Sequence, residues 1–176
     1  GLFGYEWWLA RRAHFVRYQA FGIEIPTNYS IHGIDVSKYQ DIIDWESVRE
    51  MNVEGVQLQF AFIKATEGNN DRDRYFRRNW RGARDAGVTR GAYHFFIATK
   101  SGKTQAENFI KAVELQPGDL PPVLDVEQSY GVPNKKLRQR VKEWMETVKN
   151  YYGVTPILYT NVDFYDQILK SEFDEY

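Results

Sequence analysis

From residue 31 onward, short runs of β-branched and aromatic residues alternate with longer amphipathic stretches. These amphipathic stretches predict helices over roughly 44–52, 73–86, 103–115 and 134–151. The apolar runs predict five strands, at Ile31–Val36, Val56–Ala65, Val88–Ile97, Leu120–Val126 and Thr155–Thr160. Strand–helix alternation at this spacing predicts βαβ units and a parallel sheet. We therefore expect an α/β fold of about five βα units, either a doubly wound sheet or part of a TIM-like (β/α) barrel.

The first 30 residues follow a different pattern, in which aromatic and arginine residues are mixed. Four apolar residues have helical spacing: Leu9, Ala13, Val16 and Ala20. This spacing predicts either a helix packed on the domain or a membrane-proximal stem below an anchor. Residues 22–30 read as a linker. We therefore expect a stem or linker over residues 1–30 and a folded domain over residues 31–176.

Charge and composition exclude several functional classes. The chain has 23 Lys and Arg against 24 Asp and Glu, which gives a net charge of -1 and no basic surplus for nucleic acid. It has no Cys, so disulfide scaffolds and thiolate chemistry are excluded. No apolar run is long enough for a transmembrane helix. The first predicted strand leads into Asp35-Val36-Ser37 and not into a glycine-rich phosphate loop, which argues against nucleotide binding.

The predicted fourth strand ends in two carboxylates, Asp125 and Glu127. Residues two apart in a strand point to the same side, and barrel active sites lie at the carboxyl ends of the strands. Two close carboxylates repel, so that one keeps its proton near neutral pH, as glycoside hydrolysis requires. Asp35 closes the first strand and is expected at the same place. The alternative is that all three are surface acids or caps.

Other polar residues lie near the ends of the predicted strands. Lys64 stands among apolar residues, and because a buried lysine needs a carboxylate partner, we expect an ion pair with one of these three acids. Glu67 either binds substrate or faces solvent. Tyr93 and Tyr159 could hydrogen-bond a sugar or an acid. His94 is expected to be a packed histidine, because no His or carboxylate set has the spacing of a metal site.

The ordered set of motifs resembles glycoside hydrolase family 25, the N-acetylmuramidases that cleave peptidoglycan. The resemblance covers about residues 31–165. Its elements are Gly33-Ile34-Asp35-Val36-Ser37 with Tyr39-Gln40, Ile43-Asp44-Trp45, Phe62 to Gly68, Asp73, Phe76, Asn79, Gly91 to Phe95, Gln105-Ala106 with Phe109, and Pro122 to Glu127.

This resemblance implies hydrolysis of the β-1,4 bond between N-acetylmuramic acid and N-acetylglucosamine, outside the cytoplasm. Glu127 matches the general acid of the family, Asp125 the residue that steers the substrate acetamido group, and Asp35 a third acid. Tyr93 and Tyr159 would help to orient the sugar, and from the residues alone we also name Lys64 and Glu67 as candidates for substrate binding. No metal or other cofactor is implied, and the expected partner is the peptidoglycan glycan strand.

The sequence departs from the family pattern at its C-terminal end, where the late strands and a fourth acid are not found. We therefore expect an incomplete barrel that has weak activity by itself and associates through its open edges. The aromatic, arginine-bearing start suggests a membrane tether N-terminal to the chain. Two other functions remain open: a non-catalytic module that binds peptidoglycan, and a barrel hydrolase for another N-acetylated glycan.

Overall fold

The computed structural model describes residues 15–18, 23–26, 29–170 and 172–173. The first part is a two-stranded antiparallel sheet of β1 (Phe15–Tyr18) and β2 (Ile23–Pro26). A helix through Val16 and a plain linker over residues 22–30 are therefore wrong at these positions. Leu9, Ala13 and Ala20 lie outside the described residues, with the other residues of 1–14, 19–22 and 27–28.

The main sheet has five parallel strands in the order β3 (His32–Val36), β5 (Val56–Glu67), β7 (Thr89–Phe95), β8 (Val123–Asp125) and β9 (Ile157–Tyr159). Two further strands, β4 (Asn52–Val53) and β6 (Asp71–Arg72), pair antiparallel with β5. All five predicted strands are confirmed in this order, so that neighbours in sequence are neighbours in the sheet.

Helices connect the parallel strands: α1 (Trp45–Glu50), α2 (Phe76–Asp85), α3 (Gly102–Ala112), α4 (Asn134–Tyr152) and a short α5 (Val162–Phe164), followed by a π-helical turn, Tyr165–Leu169. The Asp44 side chain caps α1, and Ser101 caps α3 in the same way. Gly153 ends α4 in the left-handed conformation, at φ 73°. The four predicted helices are thus confirmed.

The pleat of the parallel strands divides their side chains between two faces. One face carries small and branched residues such as Ala61, Ile63 and Leu124, which are fully buried beneath the helices. From α4 this core receives residues at helical spacing: Leu137, Val141, Trp144, Met145 and Val148. The other face of the sheet carries the candidate site. The described residues therefore form a mixed α/β fold with a mostly parallel sheet and five βα units.

Among the described strands, β3 and β9 lie at the two ends of the parallel order, each with one strand neighbour. In the part of the chain that the structure describes, no helix is long and apolar enough to cross a membrane. The tether, the self-association and the incomplete C-terminal end of the barrel stay predictions.

Candidate active site

Strand register brings distant acids to one edge of the sheet. Phe95 of β7 pairs with Asp125 of β8, which pairs in turn with Tyr159 of β9. Backbone bonds extend this alignment past the strand ends, because the Val126 N–H donates to the Tyr159 carbonyl at 2.9 Å. Asp35 occupies the corresponding end of β3. Residues from the two outermost strands therefore meet at the carboxyl edge of the sheet.

A cavity of about 370 Å³ opens on the face of the sheet away from the helices. We call it the acidic cavity; it is lined by Gly33, Ile34, Asp35, Phe60, Phe62, Tyr93, Val123, Asp125, Glu127, Ile157 and Tyr159. The three predicted acids and both predicted tyrosines are thus in one place. Apolar side chains from the middle of the strands form its floor.

Two glycines allow aromatic rings to lie across the floor of the acidic cavity. A Cβ at Gly33 would collide with the Phe60 ring, and one at Gly91 would collide with the Phe62 ring. The two rings meet edge to face, with centroids 5.6 Å apart. The sequence contains these residues as strand positions, but only the cross-strand register shows that the glycines make room for the rings.

Asp125 has the most strongly perturbed carboxyl group of the site. Its Oδ1 atom is buried and has no hydrogen-bond partner among the described residues. Burial, and after it the negative charge of Glu127, raises the pKa of Asp125 to about 7, and Asp35 adds to this effect. The positive charge of Lys64 works in the opposite direction. Near neutral pH, Asp125 is therefore protonated in a substantial fraction of molecules.

Lys64 is buried and forms an ion pair with Glu67, with 2.7 Å between Nζ and Oε2. The expected pairing of Lys64 with one of the three cavity acids is therefore wrong. The Lys64 ammonium also lies 4.8 Å from the centroid of the Phe95 ring, the strand neighbour of Asp125. Glu67 is thus tied to Lys64, and the pair lies beside the acidic cavity without being part of its lining.

The tyrosines of the site respond to the same negative charge. Burial raises the pKa of Tyr93, and Asp35 and Asp125 raise it further. Tyr159 is 57% exposed, and burial together with the three acids raises its pKa as well. Both hydroxyls therefore keep their protons and can donate hydrogen bonds to an acid or a sugar.

Tyr130, which follows β8, joins the site without any sequence pattern that predicts it. Its pKa is raised by burial and then by Glu67 and Glu127, so its hydroxyl lies near both carboxylates. It has a positive φ of 50° and is 45% exposed. The only signal in the sequence is a tyrosine before Gly131 in the loop that follows the acids, which is too general to identify a site.

Asp73 fixes the segment that follows Asp35. Its carboxylate accepts hydrogen bonds from the backbone N–H groups of Lys38, at 2.7 Å, and Tyr75, at 2.9 Å. The short 3₁₀ helix Lys38–Gln40 after β3 is thereby tied to the start of α2. Asp73 thus acts as a structural anchor beside the site.

His94 is a packed histidine, as predicted. It is fully buried on the helix-covered face, with its ring 5.8 Å from that of Trp144. Because the Gln105 side-chain oxygen, 3.2 Å from Nε2, can only accept, Nε2 carries the proton and Nδ1 accepts from the Thr66 hydroxyl at 2.7 Å. Burial lowers its pKa to about 3. Within the described ranges, no three His, Asp or Glu side chains are grouped to hold a metal ion.

Known proteins match this chain over most of its length. Residues 34–176 match the model of the family described as Glycosyl hydrolases family 25. The Escherichia coli K12 protein YegX is 46% identical over 166 residues, which are 93% of this chain and 61% of YegX. Lysozyme M1 of Streptomyces globisporus is 34% identical over 151 residues, 80% of this chain and 50% of that protein. The chain thus spans about half to three fifths of these curated relatives.

Among solved structures, a family 25 glycosyl hydrolase from Bacillus anthracis superposes with a TM-score of 0.74 at 37% identity. The match covers 82% of this chain and 67% of that one. The sequence match and the fold match therefore agree on the same family. The acids of the cavity fall within the matched range. The chain belongs to glycosyl hydrolases family 25.

Proposed function

We propose that this chain carries the catalytic acids of a peptidoglycan hydrolase that cleaves the β-1,4 bond between N-acetylmuramic acid and N-acetylglucosamine. The observation that carries the proposal is the pair Asp125 and Glu127, coupled in one cavity with an aromatic and aliphatic floor. A protonated carboxyl beside an ionised one is the requirement for acid-catalysed cleavage of a glycosidic bond. Family membership and the lysozyme among the relatives support the same substrate class.

The two carboxyl groups differ in exposure, and this difference suggests their roles. Glu127 is exposed at the mouth of the acidic cavity, where it can reach the bridging oxygen of a glycan. Asp125 is less exposed and lies deeper on the strand. Because the groups interact strongly, their protons belong to the pair and not to one residue. We assign proton donation to Glu127 and orientation of the substrate to Asp125.

In the proposed step, Glu127 gives its proton to the bridging oxygen while the bond from this oxygen to the sugar C1 breaks. The carbonyl oxygen of the substrate acetamido group approaches C1 as the leaving sugar departs, and Asp125 holds the amide N–H. Ionised Glu127 then removes a proton from the water that completes hydrolysis. Asp35 adds negative charge that favours the positively charged sugar, and Tyr93 and Tyr159 orient this sugar by donating hydrogen bonds to its hydroxyl oxygens.

Turbidity clearing of purified cell walls tests this proposal. The assay compares the chain, and any longer natural protein that contains it, with the same proteins carrying Glu127→Gln. We expect the substitution to reduce clearing at least 100-fold, the usual contribution of a general acid. Glu107→Gln, a substitution of an exposed glutamate outside both the acidic cavity and the other described cavities, is the matched control. Equal clearing by the Glu127→Gln protein would overturn the assignment.

The proposed substrate implies where the protein acts. Peptidoglycan lies outside the cytoplasmic membrane, so we propose that the chain works in the cell envelope or outside the cell. A non-catalytic binding module would behave differently when it is mixed with the same walls. The walls would retain the protein, and no new reducing ends would appear with either Glu127 or the Glu127→Gln substitution.

A further inference from the structure

The outer face of α2 carries a stripe of arginines. Arg77, Arg81 and Arg84 are exposed and follow one another at helical spacing, while Phe76 and Ala83 of the same helix are buried in the core. Residues three and four apart are neighbours on a helix surface, and seven residues span about 10 Å along its axis. The stripe is therefore a row of positive groups about 10 Å long.

This stripe forms one wall of a groove of about 760 Å³ between α2 and the carboxyl-terminal ends of α3 and α4. We call it the basic groove; it is lined by Phe76, Arg77, Trp80, Arg81, Arg84, Arg90, Ile110, Lys111, Ala112, Val113, Glu114, Leu115, Gln116, Tyr151 and Tyr152. It is about twice as large as the acidic cavity of about 370 Å³, so there is room for an extended ligand.

The floor of the basic groove is fixed and electrically compensated. Arg90 is buried, its guanidinium lies 3.9 Å from the centroid of the Trp80 ring, and it forms two hydrogen bonds to Asp119, at 2.7 and 3.1 Å. The charge of Arg90 is thus already neutralised inside the protein. The floor provides a rigid, flat surface and contributes little net charge.

The walls, in contrast, carry uncompensated charge. Arg84 pairs with Asp85 at 2.9 Å, but in the described part of the chain no carboxylate lies within 4.0 Å of the charged groups of Arg77, Arg81 or Lys111. Glu114 is the single acid among the residues that line the groove. Three cations facing one acid make the groove positive, although the chain has a net charge of -1.

An exposed aromatic ring completes the basic groove. Tyr151 is 64% exposed and meets the Tyr152 ring edge to face at 4.8 Å. Tyr152 is held in turn by a 2.7 Å hydrogen bond from its hydroxyl to the Val113 carbonyl. Guanidinium groups, an ammonium and a flat ring thus surround one groove, an arrangement that suits a ligand bearing carboxylates on an organic backbone.

The basic groove and the acidic cavity lie on opposite sides of the main sheet. The core residues of α2 pack against the helix-covered face, whereas the acidic cavity opens on the other. An anionic ligand is repelled by Asp35, Asp125 and Glu127 and attracted to the groove. The two sites therefore select different chemical parts of a polymer.

We infer that the basic groove binds the carboxylate-bearing peptide stems of peptidoglycan and so retains the protein on the wall while the acidic cavity acts on a glycan strand. This inference rests on the proposed function. A single phosphate would engage one or two of these cations, whereas a peptide stem carries several carboxylates on a flexible backbone and matches a row of about 10 Å. The groove would thus hold a stem from a neighbouring part of the wall network.

The test measures binding to purified sacculi free of teichoic acid, in a Glu127→Gln background so that the sacculi remain intact. One variant carries Arg77→Gln, Arg81→Gln and Lys111→Gln. The matched control carries Lys103→Gln, Lys135→Gln and Lys136→Gln, three exposed cations outside the groove. Thermal unfolding confirms that both are folded. Parallel samples use sacculi whose carboxylates have been converted to neutral amides, and phosphatidylglycerol vesicles.

We expect the groove variant to bind untreated sacculi about tenfold more weakly than the control at low salt, since each exposed charge pair contributes about 0.5 kcal/mol. Conversion of the sacculus carboxylates to neutral amides should lower binding of the Glu127→Gln protein to the level of the groove variant. Equal binding by the two triple variants would overturn the inference. Undiminished binding to the neutralised sacculi would overturn it as well. So would binding to vesicles that depends on the groove and exceeds binding to sacculi. Wall hydrolysis by the unsubstituted chain, with Glu127 in place, is measured separately. Retention on the wall without hydrolysis would therefore contradict the proposed function alone.

Discussion

Lys64 and Glu67 face the same side of β5 although they are three positions apart along the strand. In a regular strand they would point to opposite faces. The register with β7 shifts between Lys64 and Thr66, so that Lys64 pairs with Tyr93 and Glu67 with Phe95. This β-bulge turns the two side chains toward each other and places a positive charge beside Asp125.

Removing this charge should shift the pH dependence of hydrolysis. Lys64 lowers the pKa of Asp125, so Lys64→Met should raise that pKa above its present value of about 7. The pair of Asp125 and Glu127 then keeps its shared proton to higher pH, and because this is the proton that Glu127 donates, the alkaline limb of the pH–rate profile moves upward by about one unit. The profile of wall clearing measures this shift.

Lys64→Met also leaves Glu67 without its partner, so the double variant Lys64→Met with Glu67→Gln separates the two effects. It should show the same shift of the alkaline limb. Lys100→Met removes an exposed lysine and is the control. An alkaline limb that stays in place in both Lys64 variants would contradict the proposed influence of Lys64 on Asp125.

Asp125 should make the fold less stable at alkaline pH. Its folded pKa of about 7 is above its ordinary value of 3.8, so its contribution to stability is fully present below 3.8 and is lost as the pH rises through 7. Asp125→Asn stays neutral and should be more stable at pH 8 by about 1–2 kcal/mol, a figure reduced for the exposed part of the carboxyl. Thermal unfolding at pH 5 and pH 8 compares the two proteins.

The gain in Asp125→Asn should be much smaller at pH 5, which is close to the ordinary pKa of 3.8, and should vanish only below that pKa. Asp163→Asn, a change at an exposed position in α5, is the control and should show no such pH-dependent gain. Wall clearing by Asp125→Asn should fall sharply. A variant less stable than the parent at pH 8 would show that the buried carboxylate is better compensated than the described contacts indicate.

Gly91→Ala should distort the acidic cavity without altering its acids. The added Cβ would collide with the Phe62 ring, which must move into the space above the floor. We expect wall clearing to fall about tenfold and the protein to lose about 1–3 kcal/mol of stability through overpacking. Adding Phe62→Leu relieves the collision with the ring, while the tight contact of the added Cβ with Leu120 at 3.1 Å remains, so it should restore part of the stability. Failure of this second change to rescue stability would indicate that Gly91 is required for another reason.

His94 should make the protein sensitive to acid. Burial lowers its folded pKa to about 3 from 6.5, so the unfolded chain takes up a proton first. The stability that neutral His94 contributes is complete above pH 6.5 and is lost progressively as the pH falls toward 3. His94→Gln cannot titrate, so its melting temperature should fall less steeply over this range. Parallel curves for the two proteins would contradict this explanation.

Local patterns in the sequence predict the alternation of strands and helices because hydrophobic periodicity decides it. The same period-two rule places Asp125 and Glu127 on one face, and both line the acidic cavity. His94 is predicted to be packed because no neighbouring His or carboxylate set has the spacing of a metal site, and it is buried in the structure. These predictions depend on residues close together in the chain.

The remaining features depend on pairing between distant segments. The bulge that directs Lys64 to Glu67 is defined by register with β7, and no single-strand pattern contains it. Val16 has helical spacing with its neighbours but lies in β1, because pairing with β2 overrides a weak local preference. Tyr130 takes its place from a loop conformation with positive φ.

The placement of Asp35 and Tyr159 on the two outermost parallel strands has a consequence for how the site forms. These residues are separated by most of the sequence, and every strand between them must pair before they share a cavity. Each parallel pair must close a long crossover connection, and such pairing is slow because chain entropy is lost before the contacts form. Hydrolytic competence should therefore appear late in refolding, after the helices have already given their circular-dichroism signal.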